Sequence, residues 1–406
     1  MPTQKLKRTL GLAECVFFGV GSILGAGIYA LVGKVAGFGG NMIWLAFLIA
    51  SVTALLSAFS YAEMSAAFPK AGGEYVYAKN ALGKKAGIIL GFIISLNGII
   101  SGATVSLGFA GYFTRLIELP LLAVAPGILV LVFLVNISGI RQSSIINIIF
   151  TVIETGGLLF VIYAAFPDLG KVDYLELPPS GFNGVLAAAA LSYFAYLGFE
   201  EIVKLAEETK KPEKNIPKAL FIASAIVMVV YTLVAICAVS AIPWQELSES
   251  DSPLADIVSN RFGKTGALVI VIIALFSTSN TILSNMMGSS RVILSMAKEV
   301  SFMKWFSWVW ASRQTPVPAL LLILLVTSAF SLIGKIETVA LIANFSIFIT
   351  FLLVNTSVIV LRITNKNLKR PFRIPGNIKN IPVISVCAIL LTLLLTAYTI
   401  YGLLNT

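Results

Sequence analysis

The chain has 406 residues, 58% hydrophobic and only 12% charged, with a mean hydropathy of +0.93; an ordinary soluble domain carries about 25% charged residues, so a water-soluble globule is excluded. Apolar runs of helix-spanning length, with Gly at 32 and Pro at 16 positions, fit a helical membrane bundle and not the weak ten-residue alternation of a β-barrel. Histidine is absent, which removes the commonest general base and metal ligand, and the net charge of +10 is tested against loop topology before nucleic acid.

Eleven spans are predicted, at about 11 to 36, 42 to 67, 86 to 114, 120 to 138, 145 to 166, 182 to 203, 217 to 241, 265 to 297, 317 to 334, 337 to 362 and 382 to 403. No soluble domain is left over. The first span lacks a small-residue cleavage site and is too long for a signal peptide, so it is expected to be retained. An inside N-terminus places 23 of the 29 Lys and Arg on the cytoplasmic side and Asp168, Asp173, Asp251 and Asp256 in outer loops. The positive-inside rule then predicts N-terminus in and C-terminus out. The charge becomes a topology signal, with no nucleic-acid partner.

In the first span, Gly19 to Gly27 holds four glycines in nine positions. Each costs about 1 kcal/mol of helix propensity relative to Ala, so a break is expected near Gly25 to Gly27. Unwound backbone at that depth is tolerated where it lines a cavity, and its free amides and carbonyls suit an anion and a cation. A small-residue packing face of the GxxxG kind is the alternative. Glu14 and Glu63 lie near cytoplasmic span ends and read as structural partners of basic loop residues, whereas Glu154 sits in mid-span. The sixth span repeats the first one's signature: Ser192-Tyr193-Phe194-Ala195-Tyr196-Leu197-Gly198-Phe199-Glu200 has a mid-run glycine with a carboxylate just beyond. Interrupted helices at corresponding positions of two five-span halves point to an inverted-repeat transporter and its binding site. Cys15, Cys237 and Cys387 are isolated in apolar runs and read as small core residues, offering neither a disulfide framework nor a CxxC site.

Outside the spans, residues 68 to 85 are expected to form an amphipathic inner helix, and residues 243 to 264 an outer re-entrant cover. The segment from Phe302 to Trp310 reads as an interfacial aromatic anchor, and the basic run from Lys366 to Lys379 as a face for anionic lipid.

Several of these segments resemble the APC superfamily of amino acid, polyamine and organocation permeases, in its cationic amino acid transporter-like branch. They are Gly25-Ala26-Gly27-Ile28-Tyr29; Tyr61-Ala62-Glu63-Met64 running through Phe68-Pro69-Lys70-Ala71-Gly72-Gly73-Glu74-Tyr75; Phe194 to Glu200 followed by Glu207-Glu208-Thr209-Lys210-Lys211-Pro212 and Asn215-Ile216-Pro217; Ser290-Arg291-Val292 leading to Met296-Ala297-Lys298; and Arg370-Pro371-Phe372-Arg373-Ile374-Pro375. The resemblance covers nearly the whole chain in the family's order. It implies an all-α, LeuT-type 5+5 inverted repeat with discontinuous helices one and six, in a single transporter domain over 1–406. The first repeat would run over about 11–166, the second over about 182–362, with an accessory helix over about 382–403. Many members have twelve spans; eleven are expected here.

The resemblance also implies a site. A substrate α-carboxylate would rest on the amides of Ala26 and Gly27 just after Gly25, and the α-ammonium on the carbonyls of Ile23, Phe194 and Leu197. Phe194 and Tyr196 would be walls or a gate, or else ordinary core or lipid-facing aromatics. Asn97 and Ser101, and Thr281, Ser284 and Asn285, are candidates for side-chain contacts or for interhelical glue; alignment through Arg291 brings Asn285 level with a substrate-facing position. Glu200 would belong to gating or proton sensing, or else cap a loop or pair with Lys204. Glu154 departs from the pattern: several relatives carry a lysine there, whose ammonium takes the place of a sodium ion beside the helix-one break. A carboxylate would instead attract a cation with Thr281 or Ser284, or, protonated, donate to a helix-one carbonyl, making it a proton or cation coupling residue; a protonated structural glutamate is the alternative.

The expected function is secondary active transport of neutral or broad-range amino acids across the plasma membrane by alternating access, as proton symport. Exchange, a polyamine carrier and a non-transporting sensor are the alternatives. A dication would want more acidic side chains facing the pocket than Glu154 and Glu200. An intramembrane enzyme lacks its kit, with no His, no intramembrane Asp pair and no GxSxG. No cofactor is expected beyond the coupling proton or sodium, and the partners are substrate and bilayer, as a monomer or homodimer.

Overall fold

In a computed structural model of the protein, residues 8–70, 72–114, 116–250, 252–313, 315–332 and 336–405 are described. Hydrocarbon offers backbone groups no water, so apolar segments must satisfy their hydrogen bonds internally, and the chain is accordingly almost all helix. The first span is two helices, α1 (Leu12–Ile23) and α2 (Ala26–Gly39), parted by extended backbone at Leu24 and Gly25. Then come α3 (Ile43–Ala67), α4 (Gly73–Leu82), α5 (Lys84–Thr114), α6 (Leu121–Ile137) and α7 (Ile140–Ala165). The sixth span is also divided. Helix α8 (Phe182–Ser192) tightens into a 3-10 turn over Tyr193–Tyr196, opens through Leu197 and Gly198, and resumes as one turn, α9 (Glu201–Lys204).

The remainder comprises α10 (Pro212–Ala241), α11 (Trp244–Glu249), α12 (Pro253–Ala297), α13 (Val317–Ser331), α14 (Ile336–Thr364), a hairpin of β1 (Asn377–Ile378) and β2 (Ile381–Pro382), and α15 (Val383–Asn405). Helix α12 turns a corner at Gly263 (φ 61°, ψ −160°), in the region where glycine alone is at ease. Its first arm and α11 therefore occupy residues 243 to 264, the expected cover, and α11 packs on α2.

Among the described residues, nine helical stretches are long and apolar enough to cross a membrane. Two further apolar helices, α6 with 17 residues and α13 with 15, bring the apolar stretches among the described residues to the expected eleven. At 1.5 Å per residue, 15 residues reach about 22 Å, short of a hydrocarbon core about 30 Å thick.

Helices α1, α2, α8, α9 and α12 sit at the centre, with α3, α5, α7, α10 and α14 packed around them. Leu131 and Leu134 of α6 and Leu390 and Leu393 of α15 point outward and exposed, the arrangement a bilayer requires. Cys15 and Cys237 are buried as expected, but Cys387 is exposed on α15: an apolar run on a peripheral helix has a lipid face as well as a core face. Trp305, Trp308 and Trp310 stand exposed in and after a 3-10 turn (Ser301–Ser307), where an interfacial anchor would be.

Glu14 caps its own helix, accepting from Gly11 N at 3.0 Å, and has no ion pair with a basic residue among the described residues. Glu63 does. It receives Arg362 Nε at 2.9 Å, Arg370 Nε at 3.2 Å and Ile374 N at 2.9 Å, tying the end of α3 to the end of α14.

Candidate functional site

The two breaks lie against each other, and glycine makes this possible. Gly198 has φ 122°, and a Cβ there would collide with the Ser22 carbonyl at the end of α1. A Cβ at Gly27 would run into the backbone of Ala195, and one at Gly25 into Thr281 Oγ1 of α12. Gly25, Gly27, Thr281 and the segment from Ala195 to Gly198 are thus one neighbourhood. Ala26 and Gly27 open α2, where the first amides of a helix have no intrahelical acceptor and the dipole favours negative charge.

The carbonyl side is more occupied than the sequence suggests. Ile23 O accepts from Tyr231 Oη at 2.7 Å, and Phe194 O from Leu197 N at 3.3 Å. Tyr231 also meets Tyr196 edge-on at 5.3 Å between ring centroids, with Phe47 closing the cluster. Tyr196 and Phe194 are buried, whereas Leu197, Thr281 and Asn285 are half-buried. Asn97 is elsewhere engaged: it donates to Ala343 O and Ser346 Oγ of α14, both at 2.8 Å, and works as interhelical glue.

Beside the helix-one break lies a polar junction in mid-bundle. Glu154 of α7 is fully buried. Its Oε1 accepts from Asn280 Nδ2 at 3.1 Å, and the same nitrogen lies 3.3 Å from Gly21 O of α1 and from Thr151 Oγ1 of α7. Asn147 Nδ2 donates to Asn280 Oδ1 at 2.8 Å and to Ser284 Oγ at 3.2 Å, while Tyr29 Oη of α2 donates to Glu154 O at 3.1 Å. One amide nitrogen has two hydrogens, so its three acceptors cannot all be served. The Ser277 hydroxyl lies beside the Glu154 carboxylate, although neither it nor Glu154 Oε2 has a partner in strict hydrogen-bond geometry among the described residues. The expected company of Glu154 is therefore corrected. Asn280 and Ser277 attend it, Thr281 sits one step away at Gly25, donating to Ser277 O at 3.3 Å, and Ser284 belongs to Asn147.

A second buried set joins α4, α9 and α12. Glu200 Oε2 accepts from Gly198 N at 2.9 Å and so holds the helix-six break. The partner of Lys204 is Glu201, not Glu200. A Cβ at Gly288 of α12 would overlap the Glu201 carboxylate, so that glycine makes its room. Glu74 at the start of α4 accepts from Tyr61 Oη at 3.2 Å; burial pushes its carboxyl above the usual range, with Lys204 working against the rise. Glu208 lies 3.4 Å from Arg291, and burial likewise pushes it up.

The residues missed in the sequence are Asn147, Thr151, Ser277, Asn280, Tyr29 and Tyr231. A signal was present for the first four. Asn147, Thr151 and Glu154 recur every three or four residues on α7, as do Ser277, Asn280 and Ser284 on α12, which puts each set on one helical face. The tyrosines carry no such mark.

A profile of the family described as amino acid permease matches residues 10–404. The chain is similar to the branched-chain amino acid permease BcaP of Bacillus subtilis (strain 168), 28% identical over 414 residues that take in 97% of this chain and 88% of that permease. It is also similar to the cationic amino acid transporter 4 of Mus musculus, 28% identical over 382 residues, 88% of this chain but 60% of that longer protein. The methylthioribose transporter of Bacillus subtilis (strain 168) is 26% identical over 403 residues, 94% of this chain and 87% of that transporter. With nearly its whole length matched, and two broken helices meeting at its centre, the chain belongs to the amino acid permease family of the APC superfamily, a family of membrane transporters and not of enzymes.

Proposed function

We propose that this protein is a proton-coupled symporter of neutral or broad-range amino acids in the cell membrane, working by alternating access on a LeuT-type 5+5 inverted repeat. The repeats would be about 11–166 and 182–362, with N-terminus inside and C-terminus outside, as the bias of basic residues suggests. The substrate carboxylate is assigned to the amides of Ala26 and Gly27. The ammonium is assigned to the carbonyl ends at Ile23, Phe194 and Leu197, with Asn285 and Thr281 as half-buried polar neighbours and Phe194 and Tyr196 as walls.

The observation that carries the coupling is the surplus of acceptors at Glu154. A carboxylate buried in a bilayer is costly, and among the described residues no cationic side chain is bonded to Glu154. Here Glu154 Oε2 has no partner in strict hydrogen-bond geometry among the described residues, and the Ser277 hydroxyl is the side-chain donor beside the carboxylate. A proton removes the charge and lets the acid donate; a small cation would serve the same acceptors. Either way the charge state of Glu154 is tied through Asn280 to Gly21, four residues before the break at Gly25. An event at Glu154 is thereby linked to the helix that holds the substrate.

The test is uptake of radiolabelled amino acids into proteoliposomes under an inward proton gradient, a sodium gradient, or internal preloading alone. Accumulation with the proton gradient alone supports the proposal. Dependence on sodium would reassign Glu154 to a metal cation, and uptake only with preloading would mean exchange.

A further inference from the structure

Where α14 ends and α15 begins, the chain folds back on itself around a cavity of about 230 Å³ lined by Arg362, Lys366, Leu368, Arg370, Arg373 and Asn380. Arg362 is 3% exposed and is bound by Glu63. Arg370 is fixed by Glu63 and by three carbonyls, those of Leu361, Asn365 and Leu368, at 2.9 to 3.0 Å. Arg373 reaches Asn380 Oδ1 at 3.2 Å. Glu63 thus pairs with two of the four cations that line the pocket, and Lys366 and Arg373 have no ion pair among the described residues. The crowding is felt at Arg370, whose affinity for its proton is lowered by burial and by Arg362 and Arg373.

The pocket's position limits the source of an anion. It lies between the end of one apolar span, Leu341–Thr364, and the start of the next, Val383–Tyr401, which is the level of lipid headgroups. Ile363 at the end of α14, Ile378 and Ile381 in the hairpin, and Val383 and Val386 at the start of α15 stand exposed on the segments that flank it in sequence, apolar surface suited to acyl chains and not to water.

We propose that this pocket is a binding site for a phosphate group, and that the phosphate is the headgroup of an anionic phospholipid whose chains lie along α15. Arg362 and Arg370, already fixed by Glu63, form the rigid back of the site, and Lys366 and Arg373 supply the uncompensated charge. The inference stands apart from the transport reading and from the coupling residue.

Native mass spectrometry of the full-length protein, titrated with phosphatidylglycerol or phosphatidylcholine of the same acyl chains, tests it. The wild type is expected to retain phosphatidylglycerol preferentially. Each basic residue near a membrane surface is worth about fivefold in affinity, so Lys366→Ala with Arg373→Ala should weaken that retention about twenty-five-fold, and Lys366→Arg with Arg373→Lys should keep it. The charge-retaining pair separates lost charge from a disturbed loop. Equal retention of the two lipids by the wild type, or an unchanged alanine pair, would overturn the site. Displacement of phosphatidylglycerol by excess inorganic phosphate would assign the pocket to soluble phosphates and overturn the lipid.

Discussion

Asn280 is the side chain on which the central geometry converges: its amide touches α1 at Gly21, and α7 at Asn147, Thr151 and Glu154. Removing it leaves buried acceptors on two helices unmet, at a cost of about 1–3 kcal/mol. Asn280→Ala is expected to lower the thermal midpoint in detergent and to reduce gradient-driven uptake. Thr281→Ser, which keeps its hydroxyl beside Gly25, should stay close to wild type in stability. An alanine variant as stable as wild type would mean that water already serves those acceptors. The glycines at 25, 27 and 198 were legible in the sequence because clustered glycine in an apolar run has few other reasons to exist. Asn280 was legible only as one member of a polar face with Ser277 and Ser284, because an amide in a helix does not state which neighbour it will meet. For the same reason the alternative that pairs Glu200 with Lys204 falls to Glu201: both carboxylates are buried, and adjacent residues point some 100° apart on a helix, so the sequence does not say which one meets the lysine.

At the scale of elements, α4 shows how a short helix is held without a long apolar face. Glu74, Tyr75, Val76, Tyr77 and Ala78 are all buried, and Glu74 meets Tyr61 of α3 with Lys204 of α9 near. Because burial raises the Glu74 carboxyl above its ordinary value of 4.5, the docked state binds its proton more tightly than the undocked one. That contribution is full below the ordinary value and is lost as pH rises through the raised one. Glu74→Gln cannot ionise, so the thermal midpoint of the variant minus that of wild type should grow with pH, by about 1–3 °C over the titration. A difference independent of pH would show that Glu74 stays ionised against Lys204. The existence of α4 and of the outer cover was legible from loop composition and Gly72-Gly73. The shortness of α6 and α13 was not, because hydropathy marks apolar residues and does not report where a helix stops; Pro120, Pro316 and Ser331 bound these two in the structure.

The whole molecule joins two broken helices, a buried carboxylate beside one break, and a second charged cluster that ties the other break to α4 and α12. Family membership makes it a transporter, and the proposal gives Glu154 the part of driving it. In the proposed cycle, charge at Glu154 and substrate at Gly25 to Gly27 bias the same helix. Loss of the titratable group should therefore uncouple accumulation without removing binding. The most direct measurement compares wild type and Glu154→Gln in proteoliposomes, in proton-gradient-driven accumulation and in counterflow against preloaded substrate. The account predicts that the variant keeps counterflow and loses accumulation, with no dependence on the imposed gradient. A Glu154→Gln protein that still concentrates substrate with unchanged pH and sodium dependence would contradict it.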